Sequence, residues 1–278
     1  MQGEIGHVLL AIEQIMAIAG VPGISIGIIH RGETAGTYHL GYRDIERALV
    51  ADDDTRYNIN SLAKGLFSSL VGIEVHRGSG QLDRNKPVKT WLLEFWHEEN
   101  YIGDHCSIVD LLSHRSSISS SDDLWMGSDN VVYMDKSQVL PTFQALPAAA
   151  SPFRGSLEYN NWGYEIVSKI LERTTDKTIS ALLRDRLLDP LGMTRTSTAW
   201  IEGDDNEAKS YGIRKDLSPI GIARPTLGSG TAMEAAGGVK SSVRDLLVFF
   251  YKTFMHETNL QFSSSSDSSN SSGIIAAC

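Results

Sequence analysis

Apolar positions at helical spacing open this chain: Ile5, Val8, Leu9, Ile12 and Met16 predict an amphipathic helix before the break at Val21-Pro22-Gly23. Two runs rich in β-branched residues follow, Ile24 to His30 and Thr34 to Tyr42, around the polar turn Arg31-Gly32-Glu33. They predict a β-hairpin. The first run is continuously apolar, so both of its faces are expected to be buried under helices. From Leu62 the positions Leu66, Phe67, Leu70, Val71, Ile73 and Val75 predict a strongly buried helix that stops near Arg77-Gly78. Ser107 and Asp110 form a capping-box-like helix start. Further helices are expected over Asp135 to Leu146, Glu165 to Thr174, Ile179 to Leu188 and Val243 to Phe254, the last capped by Ser241 or Ser242.

This order divides the chain into four stretches. Residues 1–80 hold the first helix, the hairpin and the helix after Ser61. Residues 81–200 are mainly helical, and residues 201–260 return to the α/β region. Residues 261–278 include Ser263 to Ser272, nearly all Ser, Asp and Asn, a composition expected to stay disordered. No internal repeat is visible.

Composition narrows the function classes. The chain has 278 residues, enough for one large domain or two intimate subdomains, and a net charge of −9 with no block of Lys or Arg. A nucleic-acid partner is therefore not expected, because phosphate binding needs a concentrated basic footprint. No apolar run reaches the length of a membrane span. The N-terminus lacks a basic leader region and carries Glu4 and Glu13, unlike a signal peptide. Cys106 and Cys278 give no disulfide framework, so a reducing, cytoplasmic setting is expected. The histidines lack metal-ligand spacing, and neither a metal nor a cofactor is expected.

The chemistry concentrates at Ser61-Leu62-Ala63-Lys64. On a helix, positions three apart share a face, so the Lys64 amine can lie beside the Ser61 hydroxyl. A hydroxyl becomes a good nucleophile when a neighbouring base takes its proton, and a partly desolvated lysine can be that base. Trp125, Trp162 and Tyr164 fit a pocket lining or core packing equally well. Asp122, Asp123, Asp204 and Asp205 read as solvated loop acids.

Several segments together resemble the serine β-lactamase-like family, which includes class C β-lactamases, D-Ala-D-Ala peptidases and related esterases and acyltransferases. Ser61-Leu62-Ala63-Lys64 matches its S-x-x-K motif. Tyr159-Asn160-Asn161 matches the Y-x-N motif of the class C-like branch. Val21-Pro22-Gly23, Asp110-Leu111-Leu112-Ser113-His114, Pro190-Leu191-Gly192-Met193 and Ala236-Gly237-Gly238 followed by Ser241 to Leu246 match further family segments, in the family's order. The resemblance covers about residues 5 to 255.

The resemblance implies an α/β fold of the β-lactamase/transpeptidase type: an antiparallel sheet flanked by helices, with an all-helical region inserted. It implies Ser61 as nucleophile, Lys64 as base and Tyr159 as proton shuttle. Asn161 would hydrogen-bond the substrate or Lys64. Trp162, next in sequence and outside the motif, is expected beside it at the substrate. It gives His114 a structural place at a helix end. The implied activity is acyl hydrolysis of a small-molecule substrate, with acyl transfer on the same scaffold or an inactive member as alternatives. The family's third motif, K-T-G or H-x-G, which supplies a second oxyanion donor, has no match. His256-Glu257-Thr258 ends in the wrong residue and comes too soon. The last sheet strands are accordingly expected to be missing. The oligomeric state is not readable.

Overall fold

The computed structural model describes residues 2–31, 33–78 and 82–255. Its helices are α1 (Gln2–Ala19), α2 (Ala63–Arg77), α3 (Asn100–His105), α4 (Ile108–Leu112), α5 (Val139–Ala145), α6 (Trp162–Thr175), α7 (Ile179–Leu183), α8 (Asp189–Leu191), α9 (Glu234–Gly237) and α10 (Val243–Phe250). Its strands are β1 (Gly23–His30), β2 (Glu33–Asp44), β3 (Leu49–Val50), β4 (Tyr57–Asn58), β5 (Tyr211–Ile213), β6 (Pro219–Gly221) and β7 (Lys240–Ser241). Contacts divide the chain into two compact units. One comprises the chain up to Asn58, Ile201–Arg224 and the described residues from Ser241 on. The other comprises Ile59–Trp200 and Pro225–Lys240. The helix after Ser61 thus shares its unit with the helical region. Among the described residues no helix is long and apolar enough to cross a membrane.

The first unit carries the predicted hairpin. β1 and β2 pair antiparallel from Gly23↔Gly41 to His30↔Glu33, with an irregularity between Ile28 and Ile29. β3 adds to β2, giving the order β1-β2-β3. Helix α10 lies so close to β1 that a Cβ on Gly27 would sit 2.8 Å from Leu247 side-chain carbons. Ser242 caps α10 by accepting the Asp245 N–H. The expectation of two buried faces for β1 is corrected here: its residues are half-buried, apart from the exposed His30. The reason is its place at the edge of the described sheet. Arg56, fully buried, meets Glu207 at 2.6 Å and Asp204 at 3.6 Å. Asp204 therefore belongs to a buried ionic cluster and is not a solvated loop acid. Asp205 is exposed.

The second unit is built on α2, whose Leu66, Phe67, Leu70, Val71 and Ile73 are buried. Each such side chain contributes about 1.5–3 kcal/mol when fully buried. Helix α6 buries Ile166, Val167, Ile170 and Leu171. α4 approaches α6 closely, since a Cβ on Gly163 would lie 3.0 Å from the Leu111 carbonyl oxygen. The predicted capping box is present: Ser107 accepts the Asp110 N–H, and Asp110 accepts the Ser107 N–H. Arg154 adds two hydrogen bonds of 2.7 Å to the same carboxylate. Lys240 is fully buried and donates to the carbonyls of Thr198, Leu227 and Gly238. Those contacts fix the turn that follows α9. His256-Glu257-Thr258 and the stretch 261–278 lie outside the described residues.

Candidate active site

Ser61 sits in a 3₁₀ turn, Asn60–Leu62, that leads directly into α2. Two features set this entry. The Ile59 N–H donates to the Val239 carbonyl at 3.1 Å, and Asn60 takes a left-handed conformation, φ +46°. Asparagine is one of the few side chains that tolerates that region. The turn leaves Ser61 exposed and lets the next helical turn place Lys64 behind it.

Lys64 is 7 % exposed, and three of its contacts decide what it can do. Its Nζ donates to Asn161 Oδ1 at 2.6 Å, to the Ala236 carbonyl at 2.7 Å and to Ser61 Oγ at 3.2 Å. Burial pulls the ammonium below the ordinary lysine range. Hydrogen bonding to Tyr159 and the charges of Tyr159, Asp122 and Glu165 oppose that pull. Once neutral, the amine keeps two hydrogens for Asn161 and Ala236, the two shorter contacts. Its lone pair then falls on the third direction, toward Ser61.

Tyr159 reaches the serine from the other side. Its hydroxyl donates to Ser61 Oγ at 2.6 Å, and the residue is 45 % exposed. The Lys64 Nζ stands 5.0 Å from the ring centroid. His114 holds the segment that carries this tyrosine. Its carbonyl accepts the Glu158 N–H at 2.7 Å and its Nδ1 accepts the Asn160 N–H at 3.1 Å. Its ring lies 4.5 Å from the Tyr159 ring. Burial first, and the Lys64 charge second, hold the His114 imidazole below its ordinary value. Neutral, with Nδ1 accepting, it carries its proton on Nε2.

Asn161 precedes α6 and spans two charges. Its Nδ2 donates to Asp122 Oδ2 at 2.8 Å while its Oδ1 faces Lys64. The amide orientation is fixed, because a carboxylate can only accept and an ammonium can only donate. Asp122 is in turn held by the Trp125 indole N–H at 2.9 Å. Asp122 is thus a member of this cluster and not a solvated loop acid, whereas Asp123 is exposed. Trp162, expected at the substrate, is fully buried and gives its indole N–H to the Ser120 carbonyl. It packs in the core because the first turn of α6 faces inward there. Tyr164 is also buried, with its hydroxyl on the Leu112 carbonyl.

Glu165 is a further residue that pattern reading overlooked. It is 1 % exposed and lies in the first turn of α6, four residues after Asn161. Burial, with the Glu234 charge also raising it, lifts its carboxyl to about 7, against the lowering effects of Lys136 and the Ala235 and Ala236 N–H groups. Among the described residues no group of three or more His, Cys, Asp or Glu is arranged to hold a metal ion.

Ser61, the buried Lys64, the Tyr159 hydroxyl and the oriented Asn161 amide form one hydrogen-bonded cluster. The chain belongs to the beta-lactamase family, whose family model matches residues 10–272. Its fold is β-lactamase/transpeptidase-like, with helices and small antiparallel sheets, and members of this family are generally serine hydrolases. It is 25 % identical over 208 residues to Protein flp of Staphylococcus aureus (strain N315), covering 74 % of this chain and 40 % of flp. It is 28 % identical over 202 residues to the unguisins hydrolase ungD of Aspergillus violaceofuscus (strain CBS 115571), covering 69 % of this chain and 34 % of that protein. The solved octameric penicillin-binding protein homologue from Pyrococcus abyssi superposes with a TM-score of 0.75 at 25 % identity, covering 89 % of this chain and 55 % of that one. The matched part of the chain therefore spans well under half the length of these curated relatives.

Proposed function

We propose that this chain is a serine-dependent acyl hydrolase, esterase-like, that works through an acyl-enzyme on Ser61. The observation that carries the reading is the convergence on Ser61 Oγ of the Tyr159 hydroxyl at 2.6 Å and the Lys64 amine at 3.2 Å. In acylation, Lys64 in its neutral form takes the Ser61 proton as Oγ bonds to the carbonyl carbon. The carbonyl π pair moves onto oxygen. Collapse of that intermediate breaks the bond to the leaving alkoxide, and Tyr159 hands it a proton that Lys64 replaces. Water then attacks the acyl carbon, gives up its proton along the same pair, and Ser61 recovers its own. Asn161 holds one Lys64 hydrogen throughout.

The Ser61 N–H at the start of the helix is the oxyanion donor this reading supplies. The substrate class is a small-molecule ester or activated amide. A relative described as a hydrolase supports hydrolysis over acyl transfer.

The test is steady-state hydrolysis of a nitrophenyl ester by the full chain, Ser61→Ala and Lys64→Ala. Turnover in the full chain that both variants lose supports the reading. Turnover that Ser61→Ala retains refutes it. Capture of the acyl group by an added amine in place of water marks acyl transfer.

A further inference from the structure

The steps above leave the fully buried carboxyl of Glu165 without a task. It lies four residues after Asn161, which caps α6 in helical conformation, so both side chains lie on one side of the helix start. Asn161 gives Lys64 one of its two short acceptors directly. The other acceptor, the Ala236 carbonyl, belongs to a segment that Glu165 holds. Glu165 Oε1 accepts the Ala235 N–H at 2.6 Å and the Ala236 N–H at 3.3 Å, and the Ala236 oxygen meets Lys64 Nζ at 2.7 Å. One side of the helix start therefore sets both acceptors, one through a side chain and one through a backbone segment.

A neutral glutamine could accept the same two N–H groups, so satisfying them does not call for a charge. Burying a carboxylate is costly unless its charge is used. The charged groups around it come from several elements. They are Lys136 from the turn before α5, Glu234 at the start of α9, Glu172 two turns along α6 and Lys64 on α2. Lys136 is already engaged by Glu172 at 2.7 Å and Glu234 at 3.3 Å. The Glu165 charge in turn supports the Lys64 ammonium.

We propose that Glu165 is a positioning residue for Lys64: it holds the Ala235–Ala236 segment through two accepted N–H bonds, and ionised it supports the ammonium with a charge that protonation removes. The proposal rests on the reading of Lys64 as the base for Ser61. It makes the site responsive to pH near neutrality, where this carboxyl titrates. As pH falls through that midpoint, Lys64 loses a negative charge behind it while the Ala236 carbonyl keeps its place.

The test compares the full chain with E165Q and E234Q by two readouts. The first is the Lys64 Nζ titration, followed by NMR on lysine-labelled protein and assigned with Lys64→Ala. E165Q removes a supporting charge, so its Lys64 midpoint falls by about half a pH unit or more. A purely structural Glu165 leaves that midpoint in place, which overturns the proposal. The second readout is the rate at which a fluorophosphonate labels Ser61 across pH. The full chain shows a step near pH 7, E165Q lacks it, and E234Q moves it to lower pH because a like charge is gone. A step unchanged in E165Q also overturns the proposal. If E165Q does not fold, the E234Q step decides: a downward move supports the proposal and an unmoved step overturns it. If Ser61 is never labelled in the full chain, the nucleophile reading fails, and the Lys64 midpoints alone decide the role of Glu165.

Discussion

Replacing Asn161 tests the idea that Lys64 works as a neutral amine with two fixed acceptors. Asn161→Ala removes the 2.6 Å acceptor from a lysine that is almost fully buried. A hydrogen bond to a charged group is worth about 1.5–3 kcal/mol, and the neutral amine keeps a weaker version worth about 1 kcal/mol. The difference, about 1 kcal/mol in favour of the ammonium, is close to one pKa unit. Asn161→Ala should therefore move the acid limb of Ser61 labelling down by about one pH unit. Asn161→Asp places a second carboxylate beside Lys64 and Asp122. Its attraction for the ammonium outweighs the loss of the Asp122 hydrogen bond, so the limb moves up by about one unit or more. Both variants also lower the plateau, because the amine is aimed less well. The assay is fluorophosphonate labelling of Ser61 followed by mass spectrometry across pH. Limbs that stay put, or that move the same way in both variants, refute the reasoning.

Three stability predictions follow from buried groups. Trp162→Ala empties a fully buried site and removes an indole hydrogen bond; denaturant melts should show a loss of about 3–5 kcal/mol. Ser107→Ala removes the α4 cap while Arg154 still holds Asp110; the expected loss is about 1 kcal/mol, read as a lower denaturation midpoint. Glu165 has a folded-state value of about 7 against an ordinary 4.5. A raised carboxyl contributes stability that is complete below the ordinary value and is lost as pH rises through the folded value. Relative to E165Q, the full chain should thus lose about 3 kcal/mol between pH 4 and pH 8, and parallel stability profiles would contradict this.

Different parts of the site left different traces in the sequence. The Ser61–Lys64 pair was legible from helix geometry, because a three-residue spacing fixes a shared face whatever surrounds it. Tyr159 and Asn161 became visible only through resemblance, since 97 residues separate Asn161 from its partner Lys64. Asp122 sits in a serine-rich loop with no periodicity, and nothing local distinguishes a loop acid that meets an amide from one that meets water. Glu165 was hidden differently. A charged residue near a helix start reads as exposed, and here the helix turns that position inward. Trp162 was misplaced for the same reason, because the spacing of α6 gives a face without saying which face meets the core. The hairpin, the α2 helix, the Ser107 capping box and the Ser242 cap were legible, since they depend on neighbours in sequence. The half-buried state of β1 was not, because it depends on what packs beyond the hairpin.

The central claim is that Ser61 is a nucleophile served by Lys64. The most direct measurement is the intact mass of the full chain after exposure to a fluorophosphonate, with the modified peptide mapped. The predicted result is one adduct, on Ser61, absent from Ser61→Ala and strongly slowed in Lys64→Ala although both variants melt cooperatively. A cooperatively folded full chain that takes no adduct on Ser61, or a Lys64→Ala variant labelled at the same rate, would contradict it.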